Sequence, residues 1–193
     1  MKALAINGSP RKGGNTEILL RKVLEPLAAV GHQTDYLQVG GTRIRGCTAC
    51  DACKRIRNRQ CVIDEDVFNL AFAKMCEADA IVIGSPTYFG DVTAETKALI
   101  DRAGRVGRAN GGLLRRKVGA GVAAVRRGGA VQVMETINHL FLACEMIVPG
   151  STYWNFGIGG APGEVLGDEE GLANMKNLGE QIAWLFGLLE KNG

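Results

Sequence analysis

The stretch Lys2-Ala3-Leu4-Ala5-Ile6-Asn7-Gly8-Ser9-Pro10-Arg11-Lys12-Gly13-Gly14-Asn15-Thr16 decides the fold. Its first six residues form a short apolar run that suits a strand. Gly8-Ser9-Pro10 ends that run, and Asn15-Thr16-Glu17 opens a helical pattern with Ile18, Leu19, Val23 and Leu27 on one side. The loop between them gathers hydroxyls, backbone N–H groups, Arg11 and the positive end of a helix, which together suit a phosphate. No G-K-[ST] closes it, and it lacks the glycine spacing of the dinucleotide fingerprint. A compact phosphomonoester is the expected ligand; a glycine-rich turn with a Ser or Asn cap is the alternative.

Working outward, strands and helices alternate. Pro26 is expected to kink or end the first helix. Gln33 to Val39 reads as a strand, followed by a cysteine-rich insertion at about 40–64. Helix is expected from about Glu65 to Glu77, and a buried strand from Ala78 to Gly84. Val92 to Gly107 reads as helix, Lys117 to Val125 as strand, Ala130 to Glu145 as helix and Met146 to Pro149 as strand. Leu172, Met175, Leu178, Ile182, Leu185 and Leu189 mark a last amphipathic helix. This order predicts one α/β domain over residues 1–193, a doubly wound five-stranded parallel sheet with helices on both faces. Ligands in such sheets bind beyond the carboxyl ends of the strands. Three unusual loops, 8–16, 85–91 and 126–129, are expected on that edge.

Composition agrees with one folded domain. Of 193 residues, 46% are hydrophobic and 22% charged, which excludes a disordered chain. The net charge of +3 gives no ground for nucleic-acid binding. The longest run of Gly and apolar residues, Val118 to Val125, is far short of the roughly 18 that suggest a membrane span. The N-terminus turns too early for a signal peptide, so a cytoplasmic protein is expected. The 27 glycines point to loops that approach a ligand closely. His32 and His139 are the only histidines and form no triad with other motifs, so no catalytic side chain is assigned.

Ser85-Pro86-Thr87-Tyr88-Phe89-Gly90-Asp91 follows the most buried strand. A flat amphipathic ring needs aromatic or proline faces and backbone donors, and this loop offers both; the alternative is that Tyr88 and Phe89 are core residues. Together with Asn7 to Thr16 and Lys97-Ala98-Leu99-Ile100-Asp101-Arg102, this segment resembles the NADPH-dependent FMN reductase family of flavodoxin-like proteins. The resemblance is detailed to about Asp101 and in outline beyond. It implies an FMN cofactor whose phosphate is held by Ser9, Arg11, Asn15 and Thr16, with Pro86, Thr87, Tyr88, Phe89 and Gly90 bordering the ring. The third loop, with Arg126, Gly128 and Gly129, matches the family only in its glycines. A flavin explains the missing triad, because the cofactor accepts the hydride while the protein orients it. With no second nucleotide motif, NAD(P)H would be a transient donor.

Cys47-x2-Cys50-x2-Cys53-x7-Cys61 is the most specific chemical signal. Three thiolates in one short loop and a fourth after a spacer fit a four-cysteine iron–sulfur site. Arg55, Arg57 and Arg59 in the spacer are expected to lower thiol pKa values and offset cluster charge. Free thiols, a redox disulfide or tetrahedral zinc remain open. The segment resembles the iron–sulfur flavoproteins of the same superfamily, which implies a [4Fe–4S] cluster. Cys76 and Cys144 are read as small buried apolar residues. The resulting expectation is an FMN-dependent oxidoreductase or electron-transfer flavoprotein with a [4Fe–4S] relay. The alternatives are a cluster-free NAD(P)H-dependent FMN or quinone reductase and a non-enzymatic electron carrier. The resemblance further implies a homodimer or homotetramer; a ferredoxin or another redox protein is the expected partner, with neither nucleic acid nor membrane.

Overall fold

The computed structural model describes residues 1–191. Five parallel strands lie in the order β2-β1-β3-β4-β5: β1 (Lys2–Asn7), β2 (Gln33–Gln38), β3 (Ala80–Pro86), β4 (Val118–Val125) and β5 (Phe156–Ile158). Side chains alternate across the sheet. Leu4, Ile6, Ile81 and Ile83 enter one core, beneath α3 (Phe68–Glu77), α4 (Ala94–Ala109) and α5 (Ala130–Ala143). Ala3, Ala5, Ala80, Val82 and Ala120 face the other, where their small size seats α1 (Asn15–Ala29) and α6 (Glu169–Lys191) close to the sheet. A short α2 (Ala52–Ile56), unforeseen from the sequence, lies inside the cysteine segment. No helix among the described residues is long and apolar enough to cross a membrane.

The structure departs from the sequence reading at two places, each for a physical reason. Pro26 sits inside α1 without ending it, and the helix runs on to Ala29. Its lost donor is outweighed by buried Leu27 and by α6, whose Gly179 rests on this turn: a Cβ there would stand 2.2 Å from the Val23 carbonyl and 3.1 Å from Pro26 Cδ. The fifth strand is misplaced. Ile147 makes a single bridge to Val118, after which Pro149, without an N–H, leaves the ladder. The chain returns only at Phe156, pairing with Ala123 to Val125. Three residues around a glycine carry no periodic signal, yet Gly157 is closely packed: a Cβ would stand 2.6 Å from Leu19 Cδ2 and 2.7 Å from Val165 Cγ2, so these buried side chains would have to shift.

Strand order reverses between β1 and β3, so the loops after β1, β3, β4 and β5 converge on one edge.

Candidate functional site

The loop after β1 is fixed from below. Asn7 Oδ1 accepts from Ser9 N (2.9 Å), while Asn7 Nδ2 donates to Tyr36 Oη and to Gln38 Oε1 (2.9 Å each). Burial pushes the Tyr36 phenol up to about 12, so it stays neutral in this network. Gly8 donates to the Gly84 carbonyl at 2.7 Å, and a Cβ on it would fall 1.8 Å from Thr96 Oγ1. The Thr93 hydroxyl caps α4, accepting from Thr96 N, and itself donates to Gly8 O at 2.8 Å. Loop, strand and helix start are thereby one unit.

Above it, Ser9, Arg11, Asn15, Thr16, Pro86, Thr87, Tyr88 and Arg126 line one pocket, with Ala124, Gly159, Gly160 and Pro162. The first-turn N–H groups of α1, which have no intrahelical acceptor, start here. Gly129 brings the β4 loop against the β3 loop: its φ is +87°, and a Cβ would stand 2.7 Å from Thr87 Cγ2 and 3.1 Å from Gly90 Cα. Thr87 Oγ1 is buried and has no hydrogen-bond partner. A buried hydroxyl without a partner on a pocket wall fits a polar ligand edge, and the anion-binding loop beside it fits a phosphate. These residues therefore fit FMN.

Several expected residues play other parts. Asn15 reaches the pocket, but its amide donates to the Gly159 and Ala161 carbonyls (2.9 Å each) and accepts from Val165 N, bracing the β5 loop. Tyr88 and Phe89 are not core residues: Tyr88 is part-exposed on the wall, and Phe89 is fully exposed at the tip of a two-residue turn, outside the lining. Phe89 has φ +48° and Gly90 φ +84°, and Tyr88 and Asp91 exchange backbone hydrogen bonds across the turn. A Cβ on Gly128 would meet nothing within 4 Å, and both Gly128 and the exposed Arg127 lie outside the lining. Sequence reading missed the wall at Gly159, Gly160 and Pro162. Its glycines were the available signal, hidden by the misplaced fifth strand. Glu164 holds this loop by accepting from Gly160 N (2.6 Å) and Ala161 N (2.7 Å), and those bonds, helped by Arg126, keep its carboxyl below the usual range.

Cys47, Cys50, Cys53 and Cys61 line a second pocket. Cys47 and Cys50 are exposed, Cys53 is buried and Cys61 half-buried. The Ala52 N–H and the Thr48 hydroxyl hold the Cys50 thiol below its ordinary value. Ala49, Asp51, Arg57 and Arg59 all have φ between +53° and +64°, so the segment stores strain of the kind concentrated at ligand clamps. The described residues gather no three His, Cys, Asp or Glu side chains about one ion position. Four cysteines sharing the lining of one small cavity are the donor set of a four-cysteine cluster.

The expectation about the spacer arginines holds in part. Of these, Arg55 donates to Cys50 O and its charge helps to hold the Cys50 thiol down, as expected; Arg57 donates to Lys54 O, Arg59 is anchored through its backbone by Asn110, and none of the three lines the pocket. The cations in the wall are Arg102 and Arg105 of α4. The thiols lie away from the ligand edge. The segment starts there, where Gly41 N meets Glu95 at 3.3 Å, then runs down α4 to residues 102–106. At 1.5 Å per residue that lies about 12–18 Å from Ala94.

Comparisons with known proteins bear on this arrangement. A family model described as NADPH-dependent FMN reductase matches residues 1–161. An iron–sulfur flavoprotein of Methanocaldococcus jannaschii is 38% identical, the match covering 99% of this chain and 100% of that protein. One of Methanosarcina thermophila is 34% identical, covering 100% and 98%. Among solved structures, RosB with a bound riboflavin-phosphate intermediate superposes with a TM-score of 0.77 at 20% identity, covering 99% of this chain and 81% of that one. A WrbA-like flavodoxin from Agrobacterium tumefaciens gives 0.65 at 16%, covering 95% and 96%. At those identities the two structures speak for the fold.

Proposed function

Because the chain belongs to the NADPH-dependent FMN reductase family, in the branch of the iron–sulfur flavoproteins, we propose that this FMN-dependent oxidoreductase passes electrons between its flavin and a [4Fe–4S] cluster held by Cys47, Cys50, Cys53 and Cys61. The observation that carries the reading is that all four cysteines of the motif line one pocket walled by two arginines. Ser9, Arg11, Thr16 and the start of α1 bind the FMN phosphate; Pro86, Thr87, Tyr88 and Gly90 border the ring, and Arg126 stands across the pocket. Bound FMN supplies two-electron acceptance from a hydride donor and one-electron release. The protein orients the ring, excludes water from the Thr87 side and leaves the Tyr88 side open to a transient NAD(P)H or another donor. The physiological assembly is a homodimer or homotetramer served by a ferredoxin or similar redox protein. A reducing cytoplasm, where clustered thiols stay reduced, is the compartment this chemistry requires.

Anaerobic purification with an absorption spectrum, iron and sulfide analysis, and mass identification of the released flavin tests this reading. FMN with about four irons and four sulfides per chain is the expected result. FMN without iron after anaerobic reconstitution leaves a cluster-free reductase. Released FAD, or no flavin after reconstitution, sinks the cofactor assignment.

A further inference from the structure

Arg102 is a charge on the buried side of a helix. It stands on α4 among buried Leu99, Ala103 and Val106, and its side chain is fully buried. Its Nη1 donates to Asp66 Oδ2 at 2.5 Å and to the Arg45 carbonyl at 3.1 Å, and its Nη2 to the Ile63 carbonyl at 2.7 Å. Arg45 lies two residues before the first cysteine of the motif and Ile63 two residues after the last. One guanidinium thus fastens both ends of the cysteine segment. The carbon of that guanidinium sits 4.0 Å over the Phe68 ring, which fixes its plane. The remaining feature is unusual: Nε is buried and has no hydrogen-bond partner, although Arg102 walls the pocket of the four thiols. Leaving a charged donor unused in the interior is costly unless a ligand completes it.

We propose that Arg102 is the positioning residue of the cysteine pocket: it buckles residues 45–63 at both ends and presents a buried cation to the anionic group the four thiolates hold, setting that group's reduction potential. This rests on the reading of those cysteines as cluster ligands. Adding one electron to a four-thiolate cubane makes an anionic group more anionic, so a buried guanidinium beside it favours the reduced form, to the extent that the Asp66 carboxylate paired with it leaves its charge unbalanced. Arg105, which pairs with Asp51 at the surface, is screened by water and contributes less. Asp66 opposes Arg102, which makes the sign of each change testable.

The experiment uses anaerobically purified, iron-loaded protein and the substitutions Arg102→Gln, Arg102→Lys and Asp66→Asn. Cluster potentials are read by dithionite titration with optical and EPR detection, alongside iron, sulfide and FMN content. Arg102→Gln should shift the cluster potential negative and Asp66→Asn positive, with Arg102→Lys between wild type and Gln and the FMN potential unmoved. Hydrogen exchange of the 46–62 amides should quicken about tenfold in Arg102→Gln, reporting an opened buckle. Should Arg102→Gln not fold, the opposite signs of Arg102→Lys and Asp66→Asn still decide. Iron-loaded variants with the wild-type cluster potential overturn the role of Arg102 alone. Wild-type protein that holds no iron overturns the cluster reading, and the potential-setting role with it.

Discussion

Thr87 shows how one side chain separates stability from binding. Its Oγ1 is buried without a partner, so Thr87→Val, nearly isosteric, should raise the stability of FMN-free protein by about 1 kcal/mol and weaken FMN binding by about the same amount, roughly fivefold. Urea unfolding and fluorescence titration with FMN measure the two; unchanged affinity would show that the hydroxyl meets no ligand. Tyr36 is testable by pH. Burial raises its pKa to about 12 from 10, so the folded state holds a proton that the unfolded state loses. Its contribution is complete below pH 10 and disappears as pH climbs from 10 to 12. The slope of stability against pH in that window should be shallower in Tyr36→Phe than in wild type, and equal slopes would refute the coupling. Ser9, Arg11 and Thr16 were legible because an anion loop after a first strand needs few residue types. Asn15 was half legible: its position is right, but its amide braces a loop 144 residues away, which no local pattern records. Arg102 had a readable sign in its charge on an apolar helix stripe, but the two carbonyls it fastens lie on a segment that spacing does not describe.

At the scale of elements, contact between helices decides what propensity leaves open. Replacing a glycine inside a helix by alanine ordinarily gains about 0.5–1 kcal/mol. Gly179 of α6 reverses that sign, because a Cβ there would meet the Val23 carbonyl of α1 at 2.2 Å, and backbone cannot step aside as a side chain would. Gly179→Ala should therefore destabilise by about 1–3 kcal/mol, seen as a lower urea midpoint at unchanged slope. A midpoint equal to or above that of wild type would mean that α1 and α6 pack less closely here. The same contact explains why the helix does not end at Pro26, where a kink or an end was expected: one missing donor is a local signal, whereas the neighbour that holds the turn is 153 positions further along the chain. Strands β1, β3 and β4 were legible from their apolar runs, because both of their faces are covered. β5 was not, since three residues at a sheet edge present too short a pattern, and Met146 to Pro149 offered a stronger apolar run that Pro149 prevents from pairing onward.

On the scale of the whole molecule, the two pockets use different parts of the sheet scaffold. The FMN pocket is built by loops beyond β1, β3, β4 and β5, while the cysteine pocket lies against the second half of α4, about 12–18 Å down that helix from the ligand edge. Their linings share no residue, so losing the contents of one should not empty the other. Changing Cys47, Cys50, Cys53 or Cys61 to Ser should each lower iron content while FMN remains bound at the wild-type ratio. Cys76 and Cys144 provide the control. Burial holds both thiols above their ordinary value, and neither lines the cysteine pocket, so Ser at either position should leave iron and FMN unchanged and lower only stability. Loss of the cluster should also slow one-electron transfer to an external acceptor more than it slows reduction of the flavin by a hydride donor, because only the first step uses the cluster. Iron and flavin analysis of the six variants, followed by stopped-flow reduction and reoxidation, separates these steps. Equal slowing of both half-reactions, or FMN lost together with iron, would show that the two pockets act as one site.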